Sequence, residues 1–560
     1  MPDSLDAYLR RAGVASLVVA HQAVLDRVPA GVGTVVALPG KPEPPRDTWD
    51  AVTLVVPDRL ALRSVALPEL GRARRLAVWL AGGPGIAART HADWPALDGM
   101  RSRRLADGSW LLVVRFRAPA PAAGVLVEVA RQAVRGDTAG NAGLWTDETS
   151  AADDVEVPAD VVLGATEPPP THPVLGRAPV VVAPEVLGPL DERVLNPVGF
   201  QTTPTQPVTP LPHDAVLGEA LVTDLRGAAA VPVTWPDDPD PDRVRTVAGL
   251  AMSGVPLTST DVPAWAADLL GGPLVAALVA GLESDDDLAR EEHSVVLRRA
   301  ALDAFSIASW RRRAASRAGV RVADQPAVSV VLATKRPELL DFALRQVARQ
   351  RGLDLELVLA PHGFDVDVAA TREALGDGVR LVLRPQPADL PFGDVLHGAA
   401  SAISGDLVLK MDDDDWYSPD TAADLVRSHG YSGAEVVGMP AEFHYLTEPD
   451  ITVTRGHTSE VYARFVAGGT LMIERALLRE VGGFRSVRKY VDAQLLAAVT
   501  AAGGAIYRTH GLGYVLRRNP TGHTWQVDLD YLLDPSRVAR RWDGFRPSRL
   551  LETPVLGSPT

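Results

Sequence analysis

Short apolar runs alternating with helical spacing organise much of this chain. Near its start, AVTLVVPD and RLAVWLAGG are apolar stretches closed by turn residues, the pattern of buried strands, and helical spacing lies between them. SWLLVVRFRAPAPAAGVLVEVARQAV predicts a strand pair, or a strand and a helix. From Arg135 to about Pro170 the pattern gives way to polar, acidic and Pro-rich sequence, which marks a boundary. Beyond it APVVVAP predicts a strand, and NPVGFQTTPTQPVTPLP an extended connection. RVRTVAGLAMSGVPLTS predicts a helix ending at Gly254 and then a strand. EEHSVVLRRAALDAFSIASWRRRAASRAG predicts one long amphipathic helix with a basic end.

From Gln325 onward the alternation is clean. AVSVVLA, LELVLA, VRLVL and DLVLKM predict strands. PELLDFALRQVARQR predicts a helix opened by Pro337, with Leu340, Leu344, Val347 and Arg351 on one stripe, and DVLHGAASAIS predicts another. Strands alternating with helices imply an α/β fold with a mostly parallel sheet, whose ligands bind beyond the carboxyl ends of the strands. The expected organisation is an N-terminal α/β domain over 1–140, a linker over 141–175, a middle α/β domain over 176–322, and a C-terminal Rossmann-like domain over 326–545.

At one such strand end stands GDLVLKMDDDDWYSP, four consecutive aspartates after an apolar run. Like charges repel, so the run implies a positive partner. In an extended chain alternate residues face one way, so Asp412 and Asp414 are expected to converge, with Asp413 and Asp415 opposite. Paired carboxylates suit a hard divalent cation, Mn²⁺ or Mg²⁺, shared with substrate phosphates. A calcium loop would need Gly and Glu where the chain has Tyr417 and Ala423. The plain alternative is a solvated acidic turn before the helix that follows Pro419.

Composition narrows the classes. The 560 residues carry a formal net charge of -14, the opposite of what a phosphate-gripping nucleic-acid binder shows, so no nucleic acid is expected as partner. Cysteine is absent, which excludes disulfides, thiolate metal sites and cysteine nucleophiles. No leader pattern and no apolar stretch of spanning length stands out, so a cytoplasmic protein is expected, with peripheral contact at the inner face of a membrane left open.

The segment from about Ala327 to Trp525 resembles the family 2 glycosyltransferases of GT-A fold. The resemblance is carried, in order, by VSVVLATKRPELLDFALRQVARQ, GDLVLKMDDDDWYSPD, VAGGTLMIERALLREVGGF, YVDAQLLAAVTAAGGAIY and YVLRRNPTGHTW, with His362-Gly363 after the second strand. It implies a metal-dependent, inverting transfer of a sugar from a nucleoside diphosphate sugar, a UDP-sugar being favoured, to a hydroxyl of a glycan or surface polymer. Asp412 and Asp414 match the metal positions, and His523 matches a C-terminal histidine that completes the metal shell. Thr334, Arg336, His362, Asp412 and Asp413 match the donor side. Trp416, Gly469 and Trp525 fall on the acceptor side, where either tryptophan could instead fill the wall of the cleft. Asp492 matches the catalytic base. The chain departs from the family twice: APHG replaces an acidic residue after the second strand, and Val491 replaces the Glu before the base.

The rival readings are an inactive glycan-binding scaffold and a nucleotidyltransferase. AGGPGIAA fits a Gly-x-Gly-x-x-Ala phosphate loop, but no convincing helix follows and a plain turn explains it better. The middle segment faintly resembles the GT-B-like half of spore-coat-type transferases, in a scaffold role. Residues 1 to about 320 are expected to carry no chemistry, so a fragment beginning near Ala318 should keep donor hydrolysis.

Overall fold

The computed structural model describes most of residues 4–129, the short strands Val161–Leu163 and Val180–Val182, and residues 185–552 apart from 283–285, 320–325 and 520–528. His523 and Trp525 lie outside the described residues, as do most of the phosphate-loop-like segment and most of the expected linker. The chain divides into two compact units, Met1–Ala183 and Pro184–Thr560.

The first unit is built on a six-stranded sheet. Strand Ser16–Ala20 lies parallel between Thr34–Ala37 and Thr48–Val56, and Arg72–Leu80 continues the parallel set. Trp110–Pro121 and Leu97–Arg104 close the edge in antiparallel pairing. The apolar runs read as buried strands are those at the centre of this sheet. Both faces are covered: Leu17, Leu54, Leu76 and Val114 pack on one side, and Val18, Val55, Trp79 and Leu111 on the other.

The expected middle and C-terminal segments both fall in the second unit. One core cluster holds Val247, Leu250 and Leu297 of the middle segment together with Val330, Leu357 and Leu409 of the clean alternating region. The long helix expected near residue 300 is two helices, Asp287–Phe305 and Ile307–Arg317. Ser306 breaks it by taking an extended ψ of 153°, and its hydroxyl caps the second helix by accepting from Ser309 N. Buried ion pairs tie the first of these helices across the unit. Arg298 meets Glu460 at 2.5 Å, and Arg299 meets Asp420 at 2.8 Å and Asp424 at 2.6 Å. A cut near Ala318 would remove both arginines and leave those carboxylates buried and short of cations. The expectation that such a fragment keeps its activity is therefore not what this packing supports.

An eight-stranded sheet forms the frame of this unit. Val379–Leu383, Leu355–Pro361, Val328–Thr334 and Leu407–Met411 lie parallel in that order. Met472–Glu474 then pairs antiparallel with Leu407–Met411 and with Val436–Gly438. Ile506–Arg508 is parallel to Val436–Gly438, and Val461–Tyr462 closes the edge antiparallel. The sheet is thus parallel on the side of the expected site and mixed beyond it. The expected stripe helix covers Leu340–Ala348 and buries Leu344 and Val347. Arg351 lies past its end and pairs with Asp420 and Glu552. A second sheet of five strands brings Tyr514–Arg518 against Trp416–Tyr417, directly after the aspartate run.

Candidate active site

Strand Leu407–Met411 ends at the aspartates, and there the period-2 rule ends too. Asp412 keeps the strand direction, because its backbone N–H donates to Tyr417 Oη at 2.8 Å and Lys410 Nζ bonds its Oδ1 at 2.7 Å. Residues 410 and 412 therefore share a face, as an extended pair should. Asp413 and Asp414 turn away from that pattern. Arg336 gathers both: Nε donates to Asp413 Oδ2 at 3.1 Å, Nη2 to Asp413 Oδ1, and Nη1 lies 2.9 Å from Asp414 Oδ2. Asp413 also accepts from Thr334 Oγ1. Asp415 accepts from Tyr514 Oη and from Arg517 N at 2.8 Å. The alternating arrangement expected for the four carboxylates thus gives way to three separate environments. The positive partners the run demanded include Lys410 and Arg336, and Arg518 adds its field at Asp414.

Asp492 lies in the first turn of helix Val491–Ala501. Tyr490 before it takes the left-handed region, φ 62°, which turns the chain sharply into the helix. The Asp492 carboxylate packs against Gly468, where any Cβ would collide with Oδ2. At the adjacent Gly469 a Cβ would come within 3.0 Å of Asp412 Oδ2 and 2.8 Å of Tyr417 Oη. The two glycines, just ahead of strand Met472–Glu474, let both carboxylates approach the same backbone turn. Lys410 Nζ lies 3.5 Å from Asp492 Oδ1. Asp412 and Asp492, far apart in sequence, are thereby brought to one buried ammonium. Their own side chains stay 34% and 29% exposed, so both face an opening.

His362 follows the second strand, and its N–H donates to Thr334 O at 2.7 Å, which fastens it beside the first strand end. Its Nε2 is buried with no hydrogen-bond partner among the described residues. Beside it lies a cleft of about 390 Å³ lined by Gly363, Phe364, Asp365, Pro385, Gln386 and Pro387. Trp416 is 5% exposed and packs against Phe342, Tyr445 and Phe545, with the Arg517 guanidinium over its ring. This geometry supports wall packing for Trp416 and leaves no ring face open for a sugar.

Residues 329–496 match the model of glycosyl transferase family 2. This part of the chain is a glycosyltransferase domain. Among solved structures, the chain is similar to the mannosyltransferase PcManGT from Pyrobaculum calidifontis, in complex with GDP-Man and Mn²⁺. There the identity is 17% and the TM-score 0.29, over 35% of this chain and 59% of that one. It is also similar to S. aureus TarS 1-349 in complex with UDP-GlcNAc, at 13% identity and TM-score 0.30, over 36% of this chain and 60% of that one. The matched part thus spans about three fifths of each of those chains. No curated protein matches.

Electrostatics single out the glycosyltransferase domain's strand end. Burial pushes the Asp492 carboxyl above its ordinary range; Lys410 opposes the shift and Asp412 adds to it. Burial likewise raises Asp414, against the pull of Arg336 and with the repulsion of Asp413 and Asp412. Asp415 is raised further by burial, Asp414 and Asp412, although Tyr514 donates to it. For Lys410 burial favours the neutral amine, but Asp412 and Asp492 outweigh it and hold the ammonium. Lys410 and Arg336 meet these carboxylates directly and Arg518 adds its field at Asp414, yet burial and mutual repulsion still raise Asp414, Asp415 and Asp492. Among the described residues no three His, Cys, Asp or Glu side chains are already grouped as a metal shell. The donor set nevertheless fits a hard divalent ion, since it is all carboxylate oxygen.

Lys410 and the Gly468-Gly469 pair are what sequence reasoning missed or underused. A signal for Lys410 existed: it is one of four lysines in the chain and the only charged residue in an otherwise apolar strand.

Proposed function

We propose that this protein transfers a sugar from a nucleoside diphosphate sugar to a hydroxyl of a glycan or related polymer, with inversion at the anomeric carbon. The observation that carries the reading is the meeting of Asp412 and Asp492 at Lys410 on the carboxyl end of a parallel strand, within a glycosyltransferase domain. Asp492 would accept the proton of the acceptor hydroxyl as its oxygen attacks the anomeric carbon. The bond from that carbon to the diphosphate breaks on the opposite face. Burial, which raises the affinity of Asp492 for a proton, suits it to that task. Gly469 would leave room beside Asp412 for the reacting groups.

Asp412 and Asp414 would hold a divalent cation, Mn²⁺ or Mg²⁺, and such an ion would offset the negative charge of the leaving diphosphate. On this reading Arg336 exchanges part of its grip on Asp413 and Asp414 for a donor phosphate oxygen. The nucleoside would enter the cleft beside His362, where Phe364 offers a ring and Asp365 and Gln386 offer polar groups to a base. Asp365 would stand in for the acidic residue missing directly after the second strand. Among the described residues no helix is long and apolar enough to cross a membrane.

A thermal-shift screen of nucleotide sugars, with and without Mn²⁺, tests donor binding, because a ligand of the native state raises the melting temperature. Product analysis of the best donor tests the chemistry. Release of nucleoside diphosphate supports glycosyl transfer, release of pyrophosphate means nucleotidyl transfer, and neither product with binding intact means a scaffold.

A further inference from the structure

Lys410 is 2% exposed and sits in a strand whose other side chains, Leu407, Val408, Leu409 and Met411, are buried and apolar. Its backbone is locked on both sides: its N–H donates to Leu471 O at 2.9 Å, and residue 410 is in register with Val331 of the neighbouring parallel strand. Burying an ammonium in such a place is strongly unfavourable before any partner is counted. An apolar residue of the same length would pack there with no such cost, so stability of the sheet gives no reason for a lysine. What the ammonium does reach is specific: Asp412 Oδ1 at 2.7 Å and Asp492 Oδ1 at 3.5 Å, with Asp415 adding to the negative field. It takes one oxygen of each carboxylate. The other oxygen of each, Oδ2, lies against the Gly468-Gly469 turn.

We propose that Lys410 is a positioning residue, a buried clamp that spaces the Asp412 and Asp492 carboxylates for sugar transfer. The inference rests on the proposed function. Without the ammonium, two carboxylates on one side of a narrow turn repel, and rotation about χ1 separates them. With it, each is held by a charged hydrogen bond or ion pair in a low-dielectric setting, where geometry is enforced more strongly than in water. The clamp ties the donor-side carboxylate to the base, and the distance between a held donor and a base governs how often an acceptor hydroxyl is correctly placed.

The test uses the full chain and four variants: Lys410→Met, Lys410→Arg, Asp492→Asn and the double variant Lys410→Met/Asp492→Asn. Three quantities are measured: melting temperature, affinity for UDP with Mn²⁺ by calorimetry, and release of nucleoside diphosphate from the nucleotide sugar that the wild type consumes. Lys410→Met is expected to lower turnover by about 10²-fold and to weaken UDP binding by about tenfold. Lys410→Arg, which keeps the charge at the cost of fit, should retain more turnover than Lys410→Met. In the Asp492→Asn background, Lys410→Met should cost little further turnover, because the group it positions is already disabled. The double variant should also melt above Lys410→Met, since one half-buried charge left without its cation is gone. A space-filling role predicts the reverse order, Met at least as active as Arg. That order, or effects of the two substitutions that simply multiply, overturns the clamp. If the wild type releases nothing from any nucleotide sugar, the functional reading falls; the clamp as a contact then stands or falls on the melting temperatures of the same four variants.

Discussion

The two units solve the same packing problem and differ in what they bury. Each has a sheet with four parallel strands on one side and apolar side chains on both faces. In the first unit the buried polar side chains among the described residues are Ser16, Thr53 and Ser109, none of them charged. In the second unit Arg290, Arg298, Lys410, Asp413, Asp414, Asp415, Asp424 and Glu460 are all buried. Buried charge is expensive unless an opposite charge or a full set of hydrogen bonds meets it. Arg290 is held by backbone carbonyls of Gln201, Thr202, Arg226 and Ala228, and the other charges of this set fall into two groups. One, at the strand end, sets Lys410 and Arg336 against the aspartates. The other anchors the helix Asp287–Phe305 to the glycosyltransferase domain. The second unit differs in gathering charged side chains at a strand end, where packing of the core alone does not call for them.

The largest effect should come from the strand end itself. Asp412→Asn or Asp414→Asn should abolish Mn²⁺-dependent donor binding with the fold intact, and calorimetry showing unchanged affinity in both variants would break the contrast at its centre. Asp492→Asn should come next. Turnover should fall by about 10²-fold or more, with melting temperature and donor affinity nearly unchanged. Near-native turnover would return Asp492 to the role of an acidic residue at a positive helix end, worth about 1 kcal/mol of stability.

The anchoring group should show up in stability instead. Arg298→Met leaves Glu460, which is fully buried, without the cation nearest to it, and should cost about 3–5 kcal/mol in chemical denaturation. The same group predicts a pH response. Burial works to raise Asp424, but Arg299, His510 and Arg427 outweigh it and hold its carboxyl well below the ordinary range. A depressed folded-state pKa means that its stabilising contribution is present above the unfolded value of about 4 and is lost as the pH falls below it. Asp424→Asn should therefore flatten the acid limb of the stability curve; an unchanged limb would show that other carboxylates carry it. The smallest effect is expected in the first unit. His21→Ala and Asp58→Asn, both just past parallel strand ends, should leave turnover within about twofold, and a loss of tenfold would show that the first sheet carries chemistry after all.

Much of this was legible along the chain, for a local reason. The apolar runs at 51–56, 76–80, 328–333 and 407–411 are strands because periodicity and turn residues are short-range properties. The acidic run declared a need for cations, and its place after a strand put it where an α/β sheet binds ligands. The same local logic failed where the strand stopped: alternation was extrapolated past Met411, but Arg336 pulls Asp413 and Asp414 together. It also failed at Ser306, where one extended residue splits an apparently continuous helical pattern.

Residue order alone carries the succession of strands and helices, the residue types gathered at one strand end, and the resemblance from which their proposed roles come. Only the tertiary structure decided which cation meets which carboxylate. Lys410 reads as an oddity in a strand until Asp492 arrives on a helix from far down the chain, and Arg298 and Glu460 are 162 residues apart before they share a buried bond. Charge pairing depends on three-dimensional distance and on local dielectric, and neither is encoded in the spacing of residues along the backbone.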